Sequence, residues 1–310
     1  MRVSIKRVAY YLPEQSVSNR QLQDENPAWD MGRVEARTGV LRRYIAQDHQ
    51  TALDLAVRAC EQLLHDGDRL EEIDGLIFCT QSEDYIMPPN SCILHQRLHL
   101  SEQVLAFDLN LACSGFVYGL ALAQGLVQAR IAKSILLVTA DTYSKYIHKQ
   151  DRSTRPLFSD GAAATWLVGS GGSQGMIDIR CATSGQHYEK FMIPAGGCRI
   201  PKGAQTAVSQ ADHSGNVRTL EHIHMDGLGI LAFVNSRVPQ QVRSILSDNG
   251  FSIDDVDLFV FHQASELALN SLTSLLQIKP EKVFRNIREV GNTVSASIPI
   301  ALKDAVDSGQ

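Results

Sequence analysis

Three residues join chemical capability to a telling position in the chain: Cys113, His262 and Asn292. A cysteine thiolate is a nucleophile. An imidazole moves a proton or donates a hydrogen bond, and a carboxamide N–H can hold an oxyanion. A cysteine with a distant histidine and asparagine is a recurring nucleophilic pattern. Each of the three lies at the end of an expected strand or the start of an expected helix, where parallel α/β sheets place their chemistry. Each also has a plainer role. Most buried cysteines are packing, a histidine often satisfies a structural bond, and an asparagine often caps a helix. Spacing in sequence does not show that the three meet.

The elements that must position them begin with residues 104–129, VLAFDLNLACSGFVYGLALAQGLVQA. Val104 to Leu111 reads as a buried strand, and Ser114 to Ala129 as a helix apolar on nearly every side. A helix without a polar face belongs between other layers. The small residues Ala112, Ser114 and Gly115 around Cys113 permit a sharp turn and a close approach by another molecule. Cys113 thus falls at a helix N-terminus, whose free N–H groups and dipole favour a thiolate.

The composition bounds the class. With 310 residues and 44% hydrophobic side chains, the chain can bury a large core in two halves. A net charge of −5 gives no support for nucleic-acid binding. No apolar run is long enough to span a bilayer. The N-terminal MRVSIKRVAYYLPEQ lacks the apolar core of a signal peptide. Six cysteines without a CxxC and without matching histidine pairs argue against a zinc site or a disulfide scaffold, so a reducing cytoplasm is the expected compartment.

Along the chain, strands are expected at 2–10, 76–80, 104–111, 135–139 and within 157–169. Helices are expected at 51–65, 91–98 and 114–129. This alternation implies a mainly parallel sheet covered on both faces. The Gly/Ser-rich stretch 169–175 marks the passage from a first half, 1–170, to a second, 171–310. There, strands are expected at about 176–183, 258–261 and 283–285, and helices at 228–248, 265–276 and 294–307. Residues 184–222 read as a long polar excursion over the surface.

In these segments stand RTGV at 37–40, DLNLACSGFVYGL at 108–120, DRSTRPLFSDGAAAT at 151–165, FHQA at 261–264 and GNTVSASIPIAL at 291–302. Through them the chain resembles the β-ketoacyl-acyl carrier protein synthase III family of the thiolase superfamily. The resemblance implies a five-layer αβαβα fold of two similar halves, as a homodimer. It implies that Cys113 accepts an acyl group from acyl-coenzyme A, a substrate, with no cofactor and no metal. His262 and Asn292 would then bind the thioester carbonyl of malonyl-acyl carrier protein. Decarboxylation leaves an enolate, held by two donors without a metal, whose carbon attacks the acyl-cysteine.

The same resemblance assigns further residues. Arg37 and Arg152 match the family's coenzyme-contacting arginines. Arg33 stands where the family commonly has an aromatic residue stacked on adenine, and a guanidinium can stack as well. Met87, in the loop DYIMPPN, stands where a Phe usually closes the partner subunit's acyl pocket. Ser265-Glu266-Leu267 replaces the family's Asn-Leu-Arg, and a Glu there would repel an acidic carrier. The family continues beyond the last helix with two strands and a Gly-rich turn, whereas this sequence stops at Gln310. Either the chain is cut short or those strands are absent; if absent, the second sheet keeps an unpaired edge and the oxyanion hole is half built. Two other readings remain beside condensation: an acyltransferase of secondary metabolism using the same Cys113, and an inactive structural partner of an active paralogue.

Overall fold

The computed structural model describes residues 2–64, 70–172 and 174–310. The first part contains β1 Arg2–Tyr11, β2 Ser16–Ser18, α1 Asn19–Glu25, α2 Met31–Thr38, β3 Arg42–Tyr44, α3 Ala52–Leu63, β4 Gly75–Cys79 and α4 Asn90–Arg97. It continues with β5 Leu105–Leu109, α5 Gly115–Gln128, β6 Ser134–Asp141 and β7 Gly161–Ser170. The short strands β8 Phe191–Met192, β9 Gln210–Ala211, β10 Val217–Arg218 and β11 His224–Met225 follow. The helices α6 Gly227–Asp248, α7 Glu266–Leu276, α8 Ile287–Val290 and α9 Ser297–Asp307 complete the described chain.

The five-stranded sheet has the order β1-β7-β6-β4-β5. Every residue of β4 and β6 is buried, as continuous apolar strands between two covered faces must be. Side chains alternate between those faces. Leu76, Phe78, Leu136 and Val138 pack toward α3 and α4, while Ile77, Ile135 and Leu137 pack toward α5. Helix α3 starts on a capping box: Thr51 and Asp54 exchange backbone and side-chain bonds. It ends at Leu63, and residue 65 of the expected helix lies outside the described residues.

The sheet is mixed rather than mainly parallel. β4 pairs parallel with β5 and β6, but β7 runs antiparallel to both β6 and β1. No long helix crosses the sheet between Asp141 and Gly161, so the chain returns antiparallel. Helix α5 also differs from its expected all-round burial. Only Gly115, Phe116, Gly119, Ala123 and Val127 are buried, and Leu122 is exposed. One stripe packs on the sheet, and Ile298 of α9 joins the same cluster. α9 covers the neighbouring stretch of sheet through Ile300 against Ala163 and Tyr10.

Three expected strands of the second part are not formed. Residues 176–183 carry no ladder, and 258–261 and 283–285 meet only in the parallel bridge Phe259–Val283. A strand is a pairing, and apolar alternation alone does not supply the partner backbone. The helices of this part are where the sequence places them: α6, α7 capped by Ser265, and α9 preceded by the single turn Val294–Ala296. The 184–222 excursion is pinned by β8–β11, by β9–β10 and by the Ala195 N–H to Leu220 carbonyl bond at 2.8 Å.

Candidate active site

Cys113 lies in the turn between β5 and α5. The turn is tight because Gly115 N–H donates to the Ala112 carbonyl at 2.8 Å. A Cβ on Gly115 would stand 2.2 Å from Cys79 Sγ, so only glycine fits there. The Cys79 thiol in turn donates to the Leu111 carbonyl at 3.2 Å. Cys113 itself is a free, exposed cysteine, open to a molecule outside the chain.

Its acidity runs against the sequence-based expectation of a ready thiolate. Burial of the sulfur's surroundings, and then the Asp141 carboxylate, push the thiol up to about 12. Exposure describes the residue's open side and governs access. The upward pressure comes from packed protein and from Asp141, which is wholly buried. A helix terminus worth at most ~2 kcal/mol does not outweigh desolvation and a nearby like charge.

His262 follows the short Phe259 bridge. Both ring nitrogens are buried and neither has a hydrogen-bond partner. Burial lowers its pKa to about 4, so the ring is neutral near pH 7 with one N–H free to donate. Buried polar atoms are usually bonded, so the ring keeps its hydrogen-bonding capacity unspent within the chain.

Asn292 is buried and oriented by both ends of its amide. Oδ1 accepts from Val294 N–H at 3.0 Å, and Nδ2 donates to the Ala264 carbonyl at 3.3 Å. One N–H of Nδ2 is left over. Ala264 is two residues past His262, so this bond joins the two loops. The Asn292 backbone is stitched to 157–159 by bonds of 3.0 and 2.9 Å.

Gly291 fixes the approach to Asn292. Its φ of 77° and ψ of −175° suit glycine alone, and a Cβ would stand 2.5 Å from Ser159 Oγ. Gly291→Ala is expected to cost about 1–3 kcal/mol of stability and to misplace the Asn292 amide. Urea denaturation checks the first effect and the decarboxylation rate the second.

No motif marks Asp141, at the C-terminal end of β6, for chemistry, although an acid ending an apolar strand is a visible signal. It is fully buried and receives bonds from Gln81 N–H at 2.8 Å, Ser295 N–H at 3.2 Å and Ser295 Oγ–H at 2.5 Å. Tyr143 lies beside it, gives its O–H to Gln81 at 2.7 Å, stacks with Phe191 and meets Phe158 at a tilt. These rings form one cluster with partly buried Ala112 and Phe261, the neighbours of Cys113 and His262.

The other sequence-assigned residues lie outside this cluster. Arg33 and Arg37 are exposed, one turn apart on α2. Arg152 is half-buried and donates to the Ser214 carbonyl at 3.2 Å. Met87 is 78% exposed beside exposed Tyr85 and Ile86, so it fills no gap in this chain's core. Glu266 is not a free repelling charge: it pairs with Arg285 at 2.5 Å and lies under Gly39, the glycine that ends α2. Among the described residues, no group of three histidines, cysteines or acids could hold a metal ion. No described helix is long and apolar enough to cross a membrane.

The mixed sheet with helices packed on both faces defines a thiolase-like α/β fold. Residues 107–185 match the model for 3-oxoacyl-[acyl-carrier-protein] synthase III, and residues 246–310 match that for its C-terminal part. A β-ketoacyl-[acyl-carrier-protein] synthase III of Solibacter usitatus is 32% identical over 100% of this chain and 91% of its own length. A crystal structure of a 3-oxoacyl-(acyl-carrier-protein) synthase III superposes with a TM-score of 0.96 at 39% identity, covering 100% of this chain and 92% of that one. A priming β-ketosynthase of a polyketide pathway gives a TM-score of 0.83 at 25% identity, covering 99% and 88%. The chain belongs to the β-ketoacyl-[acyl-carrier-protein] synthase III family, and is an acyltransferase of the condensing type.

Proposed function

We propose that the protein takes an acyl group from acyl-coenzyme A on Cys113 and condenses it with the malonyl group of malonyl-acyl carrier protein. The observation that carries this reading is His262. Its neutral, buried and unpartnered ring is joined through Ala264 to an asparagine with a spare N–H. The 1–170 part supplies the nucleophile, and the 171–310 part supplies the two donors.

The chemistry follows from these groups. The Cys113 sulfur attacks the acyl thioester, its carbon–sulfur bond to coenzyme A breaks, and coenzyme A leaves as the thiol with the cysteine's proton. The malonyl thioester oxygen then faces His262 and Asn292. The bond to the malonyl carboxylate breaks, carbon dioxide departs, and the electron pair moves onto the oxygen held by the two N–H groups. The enolate carbon attacks the acyl-cysteine, and the Cys113 thiolate leaves and regains a proton.

The outer edge of β5 has no partner among the described residues, and Leu105 on it is exposed. This edge and the exposed Met87 loop support a homodimer in which each loop reaches the partner's acyl pocket. Arg33, Arg37 and Arg152 are the coenzyme A contacts of this reading, and the cytoplasm is its compartment. A Met-closed pocket is thinner and more flexible than one closed by Phe. Medium-length acyl groups are therefore expected to react, with neighbouring lengths separated by about 1–3 kcal/mol. A series of acyl-coenzyme A donors run on wild type and Met87→Phe checks this. A strict acetyl preference in wild type, or an identical profile in the variant, removes Met87 from the pocket.

A second reading, transfer of the Cys113 acyl group to another nucleophile, is favoured by Leu267 standing where the family has its carrier-docking arginine. Mass spectrometry decides between them. A stable acyl adduct on Cys113 excludes an inactive structural partner. Its discharge by malonyl-acyl carrier protein with release of carbon dioxide supports condensation, and an inert adduct overturns it.

A further inference from the structure

We propose that Asp141 is a positioning residue for both reacting groups: its carboxylate clamps the Asn292 turn against the end of β4 and sets the charge facing Cys113. The proposal rests on the condensation reading above. One carboxylate oxygen accepts from Gln81 N–H at 2.8 Å, with the Ser82 and Thr80 hydroxyls farther off at 3.4 and 3.5 Å. The other accepts from Ser295 N–H at 3.2 Å and from Ser295 Oγ–H at 2.5 Å. Ser295 is three residues past Asn292. Asp141 thus bonds the nucleophile-bearing sheet directly to the turn that carries the enolate donor.

All of these donors are uncharged, and Asp141 is 0% exposed. Two apolar groups of the same shape would be a cheaper way to join two segments, because an acid without a cation gains little from burial. A function for the charge is the better account. The titratable groups that face it are Cys79 at the end of β4, Cys113 in the nucleophile turn, and Tyr143 and Tyr146 after β6. Cys113 is the one among them that the reaction needs as an anion. Burial pushes the Asp141 carboxyl up to about 7, with its hydrogen bonds opposing. A carboxylate in this place disfavours a thiolate at Cys113.

Two variants test this. Ser295→Ala removes one oxygen from the clamp and leaves the Ser295 N–H bond in place. It is expected to lower malonyl decarboxylation about tenfold while Cys113 acylation stays within about twofold, since the lost bond lies on the Asn292 side. Asp141→Asn keeps the side-chain shape and removes the charge. It is expected to shift the pH midpoint of Cys113 alkylation by iodoacetamide downward by roughly one unit, read on the Cys113 peptide because Cys92, Cys181 and Cys198 are also exposed. A merely structural acid would not move that midpoint. Normal decarboxylation by Ser295→Ala, or an unchanged alkylation midpoint in a folded Asp141→Asn, overturns the proposal. Failure of wild type to discharge acyl-Cys113 onto malonyl-acyl carrier protein overturns the condensation reading instead, and the alkylation midpoint still reports on Asp141.

Discussion

Cys113→Ser is expected to abolish self-acylation by acyl-coenzyme A, a loss on the order of a thousandfold or more. The site raises the thiol to about 12 through burial and the Asp141 carboxylate. A serine alcohol is far less acidic still, and the same two influences act against its alkoxide. His262 is not hydrogen-bonded to this position, because it has no partner on either ring nitrogen. The variant therefore has neither the polarisable sulfur nor a base in place to activate the oxygen. The side chains differ little in size, and Cys113 is exposed, so folding should be unaffected. Intact-mass measurement after incubation with acyl-coenzyme A reads the outcome. Acylation of the variant at the wild-type rate would sink the nucleophile assignment.

The second large effect separates the two half-reactions. His262→Ala and Asn292→Ala are expected to accept an acyl group on Cys113 but to lose malonyl decarboxylation by about a hundredfold or more each, as removed oxyanion donors do. The two losses differ in origin. His262 has no internal partner to disappoint, so its removal subtracts a donor and little else. Asn292 also caps Val294 N–H at 3.0 Å and ties the turn to Ala264, so its removal loosens the turn as well. A modest drop in melting temperature should accompany Asn292→Ala and not His262→Ala. Carbon dioxide release from malonyl thioester, measured beside acyl-enzyme formation, checks both variants. Undiminished release would remove the enolate-holding role.

Local patterns in the chain were sufficient for most helices and for the first sheet's strands. The unbroken apolar runs of β4 and β6 could only be strands buried on both faces, and they are. Thr51 with Asp54, and Ser265 before α7, state helix starts within four residues of sequence. The strands expected at 176–183 and 258–261 had the same kind of local pattern but lacked the partner that makes a strand. The direction of β7 was also out of reach, because it depends on how the chain returns from β6.

The motifs that hold Cys113, His262 and Asn292 carried the family in the sequence itself. Side-chain chemistry and local backbone preference are properties of short segments, and short segments can be read. Tertiary structure alone decided the electrostatics. Asp141 meets donors 60 and 154 residues away. The Cys113 thiol is raised rather than lowered because desolvation comes from everything packed around it. The pairing of Glu266 with Arg285 likewise turned an expected repelling charge into a satisfied one. Such effects depend on which distant groups share a low-dielectric interior, and no window along the chain contains that information.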